Sequence, residues 1–142
     1  MPIESVVADA NVLLSAIVGK SAYRVFIDFT VSVHVAQFNA NEVEEYLPEM
    51  AQKYGLQVEL VEMQWKLLPV RLHLLDDYHG HLERALIDLQ GRDPEDAHVL
   101  ALARSLKMPI WSNDRDLSSL DAECYPTAQL LKLLESSFGP RK

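Results

Sequence analysis

With 142 residues, 49% of them hydrophobic and 24% charged, the chain is long enough to bury a core and too apolar to be disordered. The 21 Asp and Glu outnumber the 13 Lys and Arg, and the net charge of −8 excludes wrapping nucleic acid by bulk electrostatics. It does not exclude an approach to phosphates through bound cations. The single cysteine, Cys124, excludes an intramolecular disulfide, and no apolar run approaches the roughly 20 residues that a membrane span needs. The start, "MPIESVVADAN", lacks the basic region of a signal peptide and reads as a strand, so a cytoplasmic location without membrane contact is the expectation.

No internal repeat, low-complexity tract or linker divides the chain, which is expected to form one domain over residues 1–142. Short β-like runs alternate with amphipathic helical ones, the pattern of a parallel sheet flanked by helices. Residues 3–8 predict the first strand, and Asp9 is placed to cap a helix over 10–18. Residues 21–30 predict a second helix with Ser21 as its N-cap. Residues 31–37, rich in β-branched side chains, predict strand two; a short loop follows, then a helix from Asn41 to Tyr54 that Gly55 ends. Pro48 falls inside that helix, where it should kink or break it. Val58, Val61, Trp65 and Leu68 share one helical face, and Val70, Leu72 and Leu74 alternate like a short strand. Residues 79–90 predict a helix before Gly91. "DPEDAHVLALARSL", 93–106, is the clearest helix, with Asp93 as N-cap, Pro94 at the first position and Asp96 in a capping-box-like start. Residues 108–112 read as a buried strand, 113–120 as a short helix and 122–126 as a last strand. A final helix over 127–138 carries Leu130, Leu133, Leu134 and Phe138 on one stripe.

Acidic residues recur at one kind of place in this scheme: just past a strand, or in the helix start that follows. Asp9 follows strand one, Glu42 follows strand two, Asp114 and Asp116 follow "PIWS", and Asp96 opens the strongest helix. Strand C-termini and helix N-termini share one edge of an open parallel sheet, so carboxylates remote in sequence meet there. Gathered carboxylates repel one another, and a hard divalent cation removes that cost. Magnesium or manganese suits an all-oxygen set; zinc does not, because no Cys or His accompanies it. Each acid also has a plainer reading as a helix cap. Asp96, however, falls on the stripe of Val99, Leu100, Ala103 and Leu106, which a surface cap has no need to do. Glu42 and Glu44 both flank the apolar stripe of their helix, and periodicity does not choose between them.

Taken together, "VVADANVLLSA", "NEVEEYLPEMAQKYGL" and "DPEDAHVLALARSLKMPIWSNDRDL" resemble a PIN domain over about residues 3–120. The likeness is to the VapC-like branch, the ribonuclease toxins of bacterial and archaeal toxin–antitoxin pairs. The resemblance implies a three-layer α/β/α sandwich and a magnesium- or manganese-dependent endoribonuclease. It assigns catalytic roles to Asp9, Glu42, Asp96, Asp114 and Asp116, and picks Glu42 over Glu44 because Glu42 precedes an aliphatic residue. Asp9, Asp96 and Asp114 would ligate the cation, with Glu42 and Asp116 completing a second or water-mediated site. Asn11, Ser112 and Asn113 would contact substrate or orient ligands, and Arg115 would balance charge or touch substrate. RNA is the implied substrate, with an antitoxin protein and a second copy of the chain as implied partners.

Two other readings compete. "DANVL" resembles the start of haloacid-dehalogenase-like phosphatases, which work through an aspartyl phosphate, but Asn11 stands where the proton-donating acid should be. A catalytically weak PIN-like module that binds RNA or protein would keep the acids for other reasons. Lys20 and Arg24 are candidate phosphate contacts or solvated surface charge. His79 and His81 lack helical metal-ligand spacing, and Trp65 and Trp111 read as core.

Overall fold

The computed structural model describes residues 3–90, 92–114, 117 and 123–138. Five parallel strands form one sheet: β1 (Ser5–Ala8), β2 (Ser32–Ala36), β3 (Val70–His73), β4 (Ile110–Trp111) and β5 (Cys124–Tyr125), in the spatial order β3-β2-β1-β4-β5. The helices are α1 (Ala10–Ile17), α2 (Arg24–Ile27), α3 (Gln37–Lys53), α4 (Val58–Leu67), α5 (His79–Asp88), α6 (Pro94–Leu106) and α7 (Thr127–Phe138).

Alternation along the strands splits the core in two. Val6, Ala8, Val33, Val35 and Trp111 face α1, α3, α4 and α7, whereas Val7, Ala36 and Ile110 face α5 and α6. The result is an α/β/α sandwich in which β1 and β4 are buried on both sides, as central parallel strands are. Each buried aliphatic side chain contributes roughly 1.5–3 kcal/mol, so the tips of these strands are held firmly. Strand order reverses between β1 and β4, and the crevice beyond their C-terminal ends is where such sheets bind ligands.

Several elements differ from the sequence expectation. α3 starts at Gln37, directly after β2, with no intervening loop. Its N-cap is Ala36, which gives no side-chain cap signal; a Gln37–Asn41 side-chain hydrogen bond of 2.8 Å supports the first turn instead. Pro48 does not break α3, which runs on to Lys53 and ends at Gly55 with φ +66°. The helix expected over 21–30 is shorter: a 3₁₀ turn at Ser21–Tyr23, then α2, and Ser21 gives no cap bond. Its Tyr, Val, Phe and Ile are indifferent helix formers. β3 is an edge strand whose Leu72 is 53% exposed, so its alternation does not mark a buried face. On α7 the buried stripe is Leu130, Leu131 and Leu134, with Leu133 half-buried. The short helix expected over 113–120 lies mostly outside the described residues. Among the described residues no single helix is long and apolar enough to cross a membrane.

Candidate functional site

At the β1/β4 switch point the chain opens a cleft of about 310 Å³. Seven of the chain's 21 acids line it: Asp9, Glu42, Glu49, Asp93, Glu95, Asp96 and Asp114. No Lys or Arg is among the described lining residues. Asp9, Glu42, Asp96 and Asp114, 105 positions apart at the extremes, are thus brought to one place.

Asp9 ends β1 and caps α1. Its Oδ1 accepts from the Val12 N–H at 3.0 Å, and its Oδ2 accepts from the Ser112 hydroxyl. Ser112, buried at the tip of β4, also accepts from the Asp114 N–H at 3.0 Å. One hydroxyl therefore ties the acid of β1 to the segment that carries Asp114. Burial pushes the Asp9 carboxyl above its usual value, against the bonds from Ser112 and Val12, and Asp114 pushes the same way.

Asp93 is the N-cap of α6, accepting from the Glu95 N–H at 3.0 Å, and Pro94 takes the first helical position. That frees Asp96 from capping. Its side chain turns inward, 6% exposed, and its Oδ2 has no hydrogen-bond partner among the described residues. Burial and a hydrogen bond shared with Asp114, joined by the charges of Asp114, Asp93 and Asp9, push the Asp96 carboxyl up to about 8. Neighbouring carboxylates disfavour the charged form, which is the direction in which Asp96 is pushed.

A second pair sits opposite. Glu42 lies in the second turn of α3, and burial together with a hydrogen bond to Glu95 pushes it up to about 8. Asn39, one turn earlier and 1% exposed, donates to Glu42 Oε1 at 2.7 Å and to the Glu95 carbonyl at 3.2 Å. It therefore ties α3 to the start of α6. Glu44, which periodicity does not separate from Glu42, points elsewhere and accepts from Trp65 Nε1 at 3.3 Å.

The other sequence candidates divide. Asn11 is exposed and lines the cleft. The Asn113 side-chain oxygen accepts from the Thr127 N–H at 2.9 Å, which ties it to the start of α7. Arg115 and Asp116 lie outside the described residues. Arg24 is engaged by Asp28 at 2.8 Å and Glu135 at 2.9 Å. Trp65 and Trp111 are core, and His79 and His81 are exposed. Sequence reasoning missed Asn39, Asp93 as a cleft residue, and Glu95. The i, i+3 spacing of Asn39 and Glu42 is the signal that a correct start for α3 would have exposed.

The donor set suits a hard divalent cation: seven carboxyl groups line the cleft, and two buried acceptors, Asp96 Oδ2 and Asn39 Oδ1, have no donor among the described residues. Among the described residues no three His, Cys, Asp or Glu already stand as a metal-ligand group.

The family model for the PIN domain matches residues 7–134. No curated protein matches the chain. Among solved structures, a toxin–antitoxin complex from Klebsiella pneumoniae has a chain that superposes with TM-score 0.64 at 15% identity, covering 86% of this chain and 97% of that one. VapBC2 from Rickettsia felis, bound to a DNA fragment from its promoter, gives TM-score 0.66 at 9% identity, covering 86% and 98%. A protein from Pyrobaculum aerophilum gives TM-score 0.63 at 16% identity, covering 92% and 89%. At these identities the likeness is one of fold.

Proposed function

Because the chain belongs to the PIN-domain family, we propose that its acidic cleft is the active site of a magnesium- or manganese-dependent endoribonuclease. The observation that carries the reading is the convergence of seven carboxyl groups on one cleft at the switch point of the sheet, with the buried Asp96 Oδ2 left without a hydrogen-bond partner among the described residues. Asp9, Asp96 and Asp114 would hold the cation, with Glu42 and Asp116 completing the set. When bound, such a cation lowers the pKa of water and neutralises charge on a phosphodiester.

The chain's own residues supply orientation. Ser112 fixes one Asp9 oxygen and the backbone of Asp114, and Asn39 fixes Glu42 against the start of α6. The α6 N-terminus, aimed at the cleft, favours negative charge there. Among the described lining residues there is no Ser, Cys or Lys, which favours water as the nucleophile and Glu42 as the group to orient it. Asn11, which is exposed and lines the cleft, would contact the substrate's sugar or phosphate.

The biological role that fits is the toxin of a toxin–antitoxin pair in the cytoplasm, held by an antitoxin protein and able to pair with a second copy. One of the structures of like fold is a toxin–antitoxin complex, and another is VapBC2 bound to promoter DNA. α4 also offers an outward apolar stripe, Leu60, Met63 and Leu67, exposed at 51%, 58% and 70%, where a partner would bury it.

Asp9→Asn keeps the cap on α1 and removes the charge. Cleavage of single-stranded RNA in manganese should fall at least ~10³-fold, as expected for several kcal/mol of lost transition-state stabilisation. A purified variant that cuts as fast as the parent would refute the mechanism.

A further inference from the structure

Resting on the nuclease reading, we infer that the groove between α1 and α3 is a track for the RNA strand, leading from the acids to a cationic clamp at Tyr54. A ridge of i, i+4 positions on α3 and its C-cap carries it: Glu42, Tyr46, Met50 and the capping Tyr54. Tyr46, 41% exposed, and Met50 line the same cleft as the carboxylates, with Leu14 of α1 as the opposite wall. A large exposed ring one turn from a candidate catalytic acid is misplaced as core and well placed as a platform for a base.

The far end is built by two turns that stop both helices together. Gly19, at φ +84°, turns the chain after α1, and Gly55, at φ +66°, turns it after α3. Lys20 Nζ then lies 4.9 Å from the Tyr54 ring centroid and Lys53 Nζ 5.5 Å from it. In a chain of net charge −8, two exposed lysines gathered on one exposed ring make a local phosphate site. From Glu42 to Tyr54 is ~18 Å along the helix axis, the length of a few nucleotides. Glu49, also on the cleft wall, repels phosphates from the middle, so a strand would be held by the lysines at one end and, at the other, by the cation that the acids would bind.

This chemistry selects single-stranded RNA. Bases laid on Tyr46 must be unstacked, and stacking on aromatic side chains tolerates any base. A duplex keeps its bases away from the ring.

The test measures binding of a fluorescein-labelled single-stranded RNA decamer by anisotropy in calcium, and its cleavage in manganese. Lys20→Ala/Lys53→Ala should weaken binding about tenfold at 0.1 M salt and shrink the slope of log K against log salt by ~1.4, the value for two lost phosphate contacts. Tyr46→Ala should weaken single-stranded binding about tenfold, Tyr46→Phe should bind like the parent, and neither should alter duplex binding. Melting temperatures confirm that the variants fold. A double-lysine variant with parental affinity and salt slope overturns the track, even if the parent cuts RNA. A parent that binds the decamer but cuts nothing removes the nuclease reading and leaves the track. A parent that does neither removes both.

Discussion

Two polar clusters lie along the same edge of the sheet, and they are built on opposite terms. On β2 and β3, His34 Nδ1 meets His73 Nε2 at 2.8 Å, and His73 Nδ1 meets Asp77 Oδ2 just past β3 at 3.2 Å. Nearby, the Tyr78 hydroxyl meets His98 Nδ1 at 2.6 Å, with Phe38 stacked on His98 at 4.0 Å. Imidazole and phenol groups can each take the donor or acceptor role the neighbour needs, and the carboxylate accepts, so these groups satisfy one another. Beyond β1 and β4 the cleft holds acceptors almost alone, and burial with neighbouring acids pushes the Asp96 and Glu42 carboxyls upward. A fold that wanted only stability had the first solution available. On the nuclease reading, retaining the second gives up stability for a place where a cation would bind.

The largest expected contrast is Asp96→Asn. RNA cleavage should drop ~10³-fold or more, while the EDTA-treated protein becomes more stable near pH 8. The sign follows from the raised carboxyl: between 3.8, the ordinary Asp value, and about 8, native Asp96 keeps a proton that the unfolded chain has released. Glu42 does the same between 4.5 and about 8. Stability without metal therefore falls as pH rises through this window, and Asp96→Asn flattens part of the slope. His34 works the other way: burial, then His73 and Arg71, lowers it from 6.5, so its contribution is lost as pH falls through the unfolded value. Urea denaturation at pH 5 and pH 8 separates the two.

A smaller loss, ~10²-fold in cleavage, is expected for Ser112→Ala, which unties Asp9 from the Asp114 segment without removing any acid. The smallest effect on catalysis comes from His73→Ala. It should cost about 1–2 kcal/mol by leaving buried His34 without its partner, and change kcat by less than twofold. A large loss of activity in that variant would erase the contrast between the clusters.

Much of this was legible in the residues, for physical reasons that also mark the limit. Strand–helix alternation and the recurrence of acids after strands predict both the parallel sheet and the cleft acids, because sheet geometry fixes where such positions meet. Asp96 showed itself by lying on an apolar stripe. Glu42 and Glu44 were not separable, since both flank the stripe and only the docking of α3 on α6 and α4 turns one to the cleft and the other to Trp65. Asn39 was invisible because α3 starts on Ala36, which bears no capping group, and the segment therefore read as a loop. The alternation in β3 misled because an edge strand can be apolar without being covered.

The most direct measurement is anomalous diffraction from a crystal soaked in millimolar manganese. The account predicts a peak bounded by Asp9, Asp96 and Asp114, with the Asp96–Asp114 contact opened by the cation. A crystal with those carboxyls still paired and no peak among them, or with manganese held only elsewhere, would contradict it.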